Sequence, residues 1–302
     1  MPLFLQYWWM ETVCRGKMWD VAMAFDGETL LGVMPFHYGR KFGRNYLLQP
    51  QLTQFSGPFY CYPDGLDECR RLEFEKKTAR LLIMQIAQLK PAFVIQHFSP
   101  EVTNWLPFHW EGYSQTTRYT YRFDDISDPR ALLDKMHCDK NRRKILRNID
   151  STTVRFDMSP SDFAAFHHRY WLSRGKRDLL GKEFIAHVCS TAVARGNGVI
   201  ASLHDSEGKL LAARFAVYDS RCAHSLMSAS DPDLHRSGHN ETLIWRLIEY
   251  LSSFTKAYDF EGSMDEGIEY FYRSFGARQV PFFEVSRCDS LLFGLLLKIK
   301  KK

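Results

Sequence analysis

The stretch Asp259-Phe-Glu-Gly-Ser-Met264, followed by Phe271-Tyr-Arg-Ser-Phe-Gly-Ala277, decides the fold of this chain. The first part predicts a short strand that ends in Gly-Ser, and the second predicts a helical turn that carries Tyr272 four residues before Gly276. A phenol has the reach and the pKa to give a proton to a departing group. The segment therefore predicts a proton donor close to the end of a strand. The ordinary alternative is that the aromatic residues around Tyr272 form a core stripe.

The two halves of the chain show the same order of predicted elements. Asp20 to Phe36 parallels Gly198 to Phe215, and each reads as a strand, a turn and a second strand. Later in each half, Trp105 to Tyr113 parallels Tyr270 to Ala277, a helical turn that leads through a glycine into a strand. The order in both halves is hairpin, helix, strand, helical turn, glycine, strand. Two related α/β units in tandem explain this order economically.

The closing segment and this element order resemble the GNAT acyltransferases, and the full run is most similar to their FemAB-like branch. The resemblance implies an α/β fold with mixed sheets, built as two tandem GNAT-like domains at residues 1–125 and 126–302. It also implies that Tyr272 can protonate the departing thiolate of coenzyme A. The matching position in the first half is Phe108, four residues before Gly112, and it has no proton to give. The second domain is therefore predicted to be catalytic and to carry the donor site.

A loop and helix start between Asp231 and Glu241 is the predicted donor-binding segment. Backbone N–H groups at a helix start are unpaired, and the helix dipole adds partial positive charge there. GNAT relatives hold the pyrophosphate of acyl-CoA here with a pattern like Arg/Gln-x-x-Gly-x-Gly/Ala, of which this chain matches only one basic residue and one glycine. An Asn-capped helix after a plain turn is the alternative. The predicted cofactor-binding residues are Ser228, Ser230, Arg236, Ser237, Gly238, His239 and Asn240.

A general base is needed if the nucleophile is an amine, and Glu261 is the favoured candidate. It would point from the strand end toward the place where strands diverge, with Asp259 one pleat deeper on the same face. A buried carboxyl has a raised pKa, which suits it to take a proton near neutrality. Asp265 is a third candidate, although it precedes a helix and can equally be its N-cap. A structural carboxylate is the alternative for Glu261.

A basic cluster lies on a predicted helix from Pro129 to Ile149. Lys140, Arg143, Lys144 and Arg147 follow i, i+3, i+4, i+7 spacing and share one face. A solvated face is the default for such a run, but the cluster holds a single acid, Asp139, so an anion would relieve its repulsion. The four residues are predicted to contact a phosphorylated acceptor or donor.

Bulk composition agrees with a soluble two-domain enzyme and predicts no metal. The chain has 302 residues, a net charge of 40 − 35 = +5 and 45% hydrophobic residues. Its seven cysteines are scattered without C-x-x-C spacing, which argues against zinc or a disulfide framework and favours a reducing cytoplasm. No serine-hydrolase, P-loop or dinucleotide motif is present. The basic-ended apolar tail, Leu291 to Lys302, predicts a terminal helix, with weak membrane-surface contact as the alternative.

The sequence and its resemblance together predict a cytoplasmic N-acyltransferase. It would transfer an acyl group from acyl-CoA, with acetyl-CoA as the simplest case, to an amine of a polar or phosphorylated acceptor, which the FemAB resemblance connects with the cell envelope. Two alternatives stay open. In one, the donor is aminoacyl-tRNA, as in the FemAB peptidoglycan ligases, and tRNA becomes a partner. In the other, the chain is a degenerate GNAT module that binds without catalysis.

Overall fold

The computed structural model describes residues 1–41, 43–134, 136, 139–232, 238–262 and 264–289; for Asp139 and Lys140 it describes the backbone only. These residues form two compact units. The first comprises Met1–Arg118 together with the described residues from Pro281 onward, and the second comprises Tyr119–Val280. The predicted domain boundary after residue 125 lies seven residues beyond Arg118, where the first segment of the first unit ends. The return of the last strand to the first unit was not expected. The tail from Leu291 to Lys302 lies outside the described residues.

The first unit is built around a hairpin, a long helix and a buried strand. After a 3-10 turn at Leu3–Leu5, its elements are α1 (Tyr7–Val13), β1 (Met18–Asp26), β2 (Thr29–Lys41), β3 (Arg44–Leu48), β4 (Phe59–Tyr60), α2 (Glu68–Gln88), β5 (Pro91–His97) and α3 (Leu106–Trp110). Asp67 caps α2, since its side chain accepts a hydrogen bond from the backbone N–H of Arg70. The apolar face of α2, including Leu82 and Ile86, is buried in the core of this unit.

The second unit contains the longer series of elements. They are β6 (Ser114–Phe123), which begins in the first unit, α4 (Pro129–Asp134), α5 (Asp139–Ile149), β7 (Thr153–Arg155), α6 (Pro160–Ser173), α7 (Lys182–Ala194), β8 (Gly198–His204), β9 (Leu210–Tyr218), β10 (Cys222–Ser230), α8 (His239–Leu251), β11 (Ala257–Asp259), α9 (Glu266–Arg273) and β12 (Arg278–Cys288), which ends in the first unit. The α/β class with mixed sheets is confirmed.

Each unit contains one parallel pair of strands, β3–β5 in the first and β10–β11 in the second. In the first unit the strand order is β1-β2-β3-β5-β12, with β4 beside β2. In the second unit the order is β6-β11-β10-β9-β8-β7. There β10 and β11 are parallel, whereas β6–β11, β9–β10, β8–β9 and β7–β8 are antiparallel. The buried face of α8, with Leu243, Leu247 and Leu251 fully covered, packs into the core on this sheet. One parallel pair within an otherwise antiparallel series marks a place where the sheet changes direction.

The repeated element order predicted from the sequence is present in the structure. Each half of the chain runs hairpin, helix, strand, short helix, strand, as β1–β2, α2, β5, α3, β6 in the first half and β8–β9, α8, β11, α9, β12 in the second; β3 and β4 are added in the first half and β10 in the second. The glycine after each short helix has the same left-handed conformation, with φ of +81° at Gly112 and +82° at Gly276. A glycine in this conformation ends a helix at little conformational cost.

One strand was not expected from the sequence, and one predicted helix was wrong in detail. The strand is β3, which pairs in parallel with β5. Because β5 is distant in sequence, no local sequence pattern predicts this pairing. The single helix expected from Pro129 to Ile149 is two helices, and the backbone N–H of Met136 closes α4 on the carbonyl oxygen of Leu133. In the part of the chain that the structure describes, no helix is long and apolar enough to cross a bilayer.

Gly238 is the residue on which the approach of α5 to α8 depends. It precedes α8 with φ of +88°, and a Cβ atom there would lie 2.7 Å from Cβ of Lys144 and 2.9 Å from Nδ2 of Asn148. We expect Gly238→Ala to lower the free energy of unfolding by roughly 2–4 kcal/mol, from left-handed strain and overpacking together. Urea denaturation followed by circular dichroism measures this loss.

Gly208→Ala is the matched control, because Gly208 has φ of +83° but no atom within 4 Å of its would-be Cβ. It should cost only the conformational part, roughly 1–2 kcal/mol. Equal losses in the two variants would contradict the close packing of α5 on Gly238.

Candidate active site

The candidate site lies where β10 and β11 separate. The two strands pair over only three residues each, from Cys222 to His224 and from Ala257 to Asp259. Beyond that point β10 continues to Ser230 beside β9, and a bulge between Ser225 and Met227 bends it. Bulges increase local twist and often re-aim strands next to active sites. We call the opening beyond His224 and Asp259 the strand gap.

Three polar side chains meet at the strand gap on one face of the sheet. The ligand atoms of His224, Asp259 and Glu261 all lie within 4.8 Å of one another. Nδ1 of His224 lies 3.1 Å from Oε1 of Glu261, within hydrogen-bonding distance. Asp259 is almost completely buried, at 1% exposure. The two predicted carboxylates are therefore neighbours, and His224 joins them.

The backbone of Glu261 has a strained conformation that its neighbours hold in place. Its φ is +57°, in the left-handed region that residues other than glycine seldom adopt. Its backbone N–H donates to Oδ1 of Asp259 at 2.8 Å, and Thr120 Oγ1 donates a short hydrogen bond to the same oxygen. Gly262 donates its backbone N–H to Thr120 Oγ1 at 3.0 Å and packs against the backbone of Tyr119 and Thr120, where a side chain would collide. This network fixes the position of the Glu261 carboxyl.

Burial controls the protonation of the Glu261 and His224 pair. Desolvation, with a smaller contribution from the charge of Asp259, raises the pKa of Glu261 well above its ordinary value. Desolvation lowers the pKa of His224 to about 3, which keeps its imidazole neutral. The two shifts agree with each other, since a neutral carboxyl and a neutral imidazole share one proton between Oε1 and Nδ1. Glu261 is thus a carboxyl able to accept and release a proton closer to neutrality than an exposed glutamate can.

His224, Asp259 and Glu261 form the one group of described residues whose donor atoms lie close enough to share a metal ion. Their hydrogen bonds argue for another use. Nδ1 of His224 is engaged with Glu261, and Oδ1 of Asp259 accepts from Thr120 and from the backbone of Glu261. Burial also disfavours the ionised carboxyl of Glu261 that a cation would need. We assign no metal to this cluster.

Tyr272 lies on the other face, in the apolar core that α8 covers. It is half-buried on α9, and its ring centroid lies 5.3 Å from that of Phe260, the residue that follows β11. Its charge would raise the pKa of the buried Tyr258 hydroxyl, so the two phenols are close together. The Tyr272 side chain keeps part of its surface accessible and is not enclosed among rings. Asp265, the third carboxylate considered, is the N-cap of α9 and accepts from the backbone of Gly267 and Ile268.

The residues predicted to hold the donor are only partly within the described chain. Ser228 and Ser230 are half-buried on the end of β10, and Ser230 Oγ accepts a hydrogen bond from Nδ2 of Asn240 at 2.8 Å. His239 is the first residue of α8, and burial lowers its pKa. Gly238 adjoins Lys144 and Asn148, so its missing side chain admits α5. Arg236 and Ser237 lie outside the described residues.

The predicted basic face belongs to α5, which packs beside α8. Arg143 and Arg147 are exposed, whereas Lys144 is largely covered and forms an ion pair with the buried Glu241 of α8. Glu241, the acid that offsets part of the positive charge of α5, therefore belongs to another helix. The sequence of α5 alone does not reveal it. The side chain of Lys140 lies outside the described residues.

Two members of the site were not singled out from the sequence. Thr120 lies in a strand whose Thr and Tyr content indicates β structure, and nothing in that strand marks one threonine as a ligand of Asp259. His224 is the third residue of β10, and its partner Glu261 is distant in sequence. The signal that could have identified it is a titratable residue within a strand predicted to be central and apolar.

Comparisons with known proteins identify the class of fold. Residues 136–266 match the family model described as Acetyltransferase (GNAT) domain. The chain therefore has a GNAT-type acyltransferase fold, and the resemblance to the GNAT superfamily and its FemAB-like branch is confirmed at the level of the fold. No curated protein sequence matches the chain significantly.

Three solved structures show how far this likeness extends. FemX superposes with a TM-score of 0.70 at 12% identity, over 93% of this chain and 92% of that one. L-PGS from Bacillus licheniformis gives 0.58 at 14% identity, over 98% and 96%. A tandem GNAT protein from the clavulanic acid biosynthesis pathway gives 0.52 at 8% identity, over 91% and 84%. The likeness covers both units, and at these identities it concerns the fold alone.

The raised pKa of Glu261 predicts a specific pH dependence of stability. Above about pH 4.5 the unfolded chain ionises Glu261 while the folded chain keeps it protonated, so folding takes up a proton. Stability from this group is complete below pH 4.5 and is lost as the pH rises toward the folded pKa. Compared with Glu261→Gln, the wild-type free energy of unfolding should fall by about 1.4 kcal/mol per pH unit over that window.

Urea denaturation of both proteins between pH 4.5 and 8 measures this difference. Glu73→Gln, at an exposed position on α2, controls for the loss of a carboxylate. A wild-type minus Glu261→Gln difference that stays constant with pH would contradict the burial of an ionisable group at this site.

Proposed function

We propose that this chain is an N-acyltransferase that transfers an acyl group from acyl-CoA to an amine of a polar acceptor. The observation that carries the proposal is the Glu261 carboxyl, with its raised pKa, held at the strand gap between β10 and β11. The GNAT match over residues 136–266 supports the thioester donor. The assignment of a GNAT-type acyltransferase fold does not depend on whether acyl-CoA is the donor.

The proposed reaction uses one residue from each face of the sheet. The amine nitrogen attacks the thioester carbonyl carbon and forms a C–N bond, and Glu261, once it has released its own proton to solvent, takes the proton that the nitrogen loses. The C–S bond then breaks, and the thiolate takes the phenolic proton of Tyr272. Backbone N–H groups near Ser228 to Ser230 would stabilise the oxyanion, because β10 no longer pairs with β11 there. His224 orients the Glu261 carboxyl through its hydrogen bond.

Aminoacyl transfer from tRNA is the second candidate. The fold similarity to FemX and to L-PGS supports an aminoacyl group, and the exposed Arg143 and Arg147 offer contacts for a phosphate backbone. The same base and acid would act, with the ribose oxygen as leaving group. A cytoplasmic setting suits either donor and is part of the proposal; free cysteines at the described positions 14, 61, 69, 189, 222 and 288 support it.

The test of the acid role compares two tyrosines on one helix. Thiol release from acetyl-CoA is measured against a panel of polar primary amines. Tyr272→Phe should lower kcat by about 100-fold with little change in KM, because the lost proton matters only as the C–S bond breaks. Tyr270→Phe, the same change at a side chain that is 55% exposed, should leave kcat unchanged. Equal activity in both variants would remove Tyr272 from the mechanism.

The two donors are separated by salt dependence. If aminoacyl-tRNA is the donor, tRNA affinity should fall steeply with salt, and Arg143→Gln with Arg147→Gln should reduce the slope by about 1.5, from two phosphate contacts. If acyl-CoA is the donor, acetyl-CoA should raise the melting temperature, and the double variant should bind tRNA as weakly as the wild type. Filter binding and thermal melting measure the two quantities. Binding of neither donor would favour the degenerate module.

A further inference from the structure

A buried arginine in the second unit has no counter-ion among the residues that the structure describes. Arg214 lies on β9 at 4% exposure, with Nη1 donating to Oγ of Ser225 at 2.6 Å. Its Nε is buried and has no hydrogen-bond partner, and no described carboxylate forms an ion pair with it. Other arginines in this unit do have such partners, as Arg278 has Asp124 and Arg273 has Glu269. Arg214 is thus a buried cation with an unused donor.

The surroundings of Arg214 leave its guanidinium next to the strand gap. Arg214 lies on the same face of β9 as Ala212 and Ala216, which are two residues before and after it. The strand register places it opposite Ser228 of β10. Ser225 follows the last paired residue of β10, and Tyr258 precedes the last paired residue of β11. Burial raises the pKa of the Tyr258 hydroxyl, and the nearby guanidinium partly opposes that shift. A cation, two hydroxyls and small neighbours thus meet beside the gap, on the face opposite Glu261.

We propose that Arg214 binds a carboxylate of the transferred acyl or aminoacyl group and so sets its specificity. Burying a guanidinium without a counter-charge costs free energy that the one hydrogen bond to Ser225 offsets only in part, whereas a bound anion would offset much more of it. A carboxylate fits because its single negative charge balances one arginine and its two oxygens match the guanidinium fork. A phosphate would leave negative charge uncompensated. The inference rests on the proposed function for the identity of the group, but not for the anion site itself.

Stability separates a ligand site from a structural arginine. Arg214→Met keeps an unbranched apolar stem and removes the charged guanidinium, so it should raise the melting temperature of the ligand-free protein by a few degrees. Arg246→Met, on α8 at a pair with Glu249 that is more than one third exposed, should change it little. A lower melting temperature for Arg214→Met would show that the arginine supports the fold, and would overturn the proposal.

Ligand binding tests the carboxylate directly. Calorimetry with succinyl-CoA and butyryl-CoA compares equal chains that differ in the terminal carboxylate, and we expect wild type to prefer succinyl-CoA by about 10–100-fold. Arg214→Met should lose that preference while keeping affinity for butyryl-CoA. Free succinate, but not succinamide, should raise the melting temperature of wild type only.

The outcomes distinguish this proposal from the proposed function. A succinate effect without binding of either acyl-CoA would support the anion site and remove the CoA donor. Binding of both acyl-CoA molecules with equal affinity would support the donor and overturn the carboxylate site. Stabilisation by inorganic phosphate alone would also overturn it.

Discussion

The buried carboxylate of Asp259 is the constraint on which the candidate site depends. One of its oxygens accepts hydrogen bonds from the Thr120 hydroxyl and from the backbone N–H of Glu261. The hydrogen bond from the Glu261 N–H holds the chain after β11 in the left-handed conformation of Glu261. A residue other than glycine seldom adopts this conformation without such support. Because the turn follows directly on the last paired residue, β11 leaves β10 at that point. A single carboxylate therefore ends a strand, opens the gap and aims the next carboxyl.

The same arrangement explains why Glu261 and Asp259 differ chemically although they lie two residues apart. Asp259 accepts two hydrogen bonds on one oxygen, from the Thr120 hydroxyl and from the backbone N–H of Glu261, and so holds the local backbone in place. Glu261 meets a neutral imidazole and the charge of Asp259, and both its burial and that charge favour its protonated form. Two carboxyl groups with separate environments can thus divide the work, one fixing the backbone and the other exchanging a proton.

The sequence predicts the local elements of this fold better than their assembly. The repeat of hairpin, helix, strand, short helix and strand follows from hydrophobic period and turn residues, and so does the apolar face of α8. Glu261 and Asp259 could be named because they end a predicted strand. Thr120 and His224 could not, since they reach the site from β6 and β10 through pairing that no local pattern encodes. The pairing of Lys144 with Glu241 escaped for the same reason.

Comparison of the two units argues for a division of labour between them. Phe108 and Tyr272 occupy matching positions, four residues before glycines of nearly equal φ. Phe108 is fully buried and packs on Phe98 with ring centroids 4.8 Å apart, so the first unit uses this position to complete its core. Tyr272 packs on Phe260 yet is only half-buried, so the second unit leaves part of this position accessible. A core position that stays partly accessible buries less apolar surface and so contributes less to stability. A site that must admit a substrate gives a physical reason for this loss of stability.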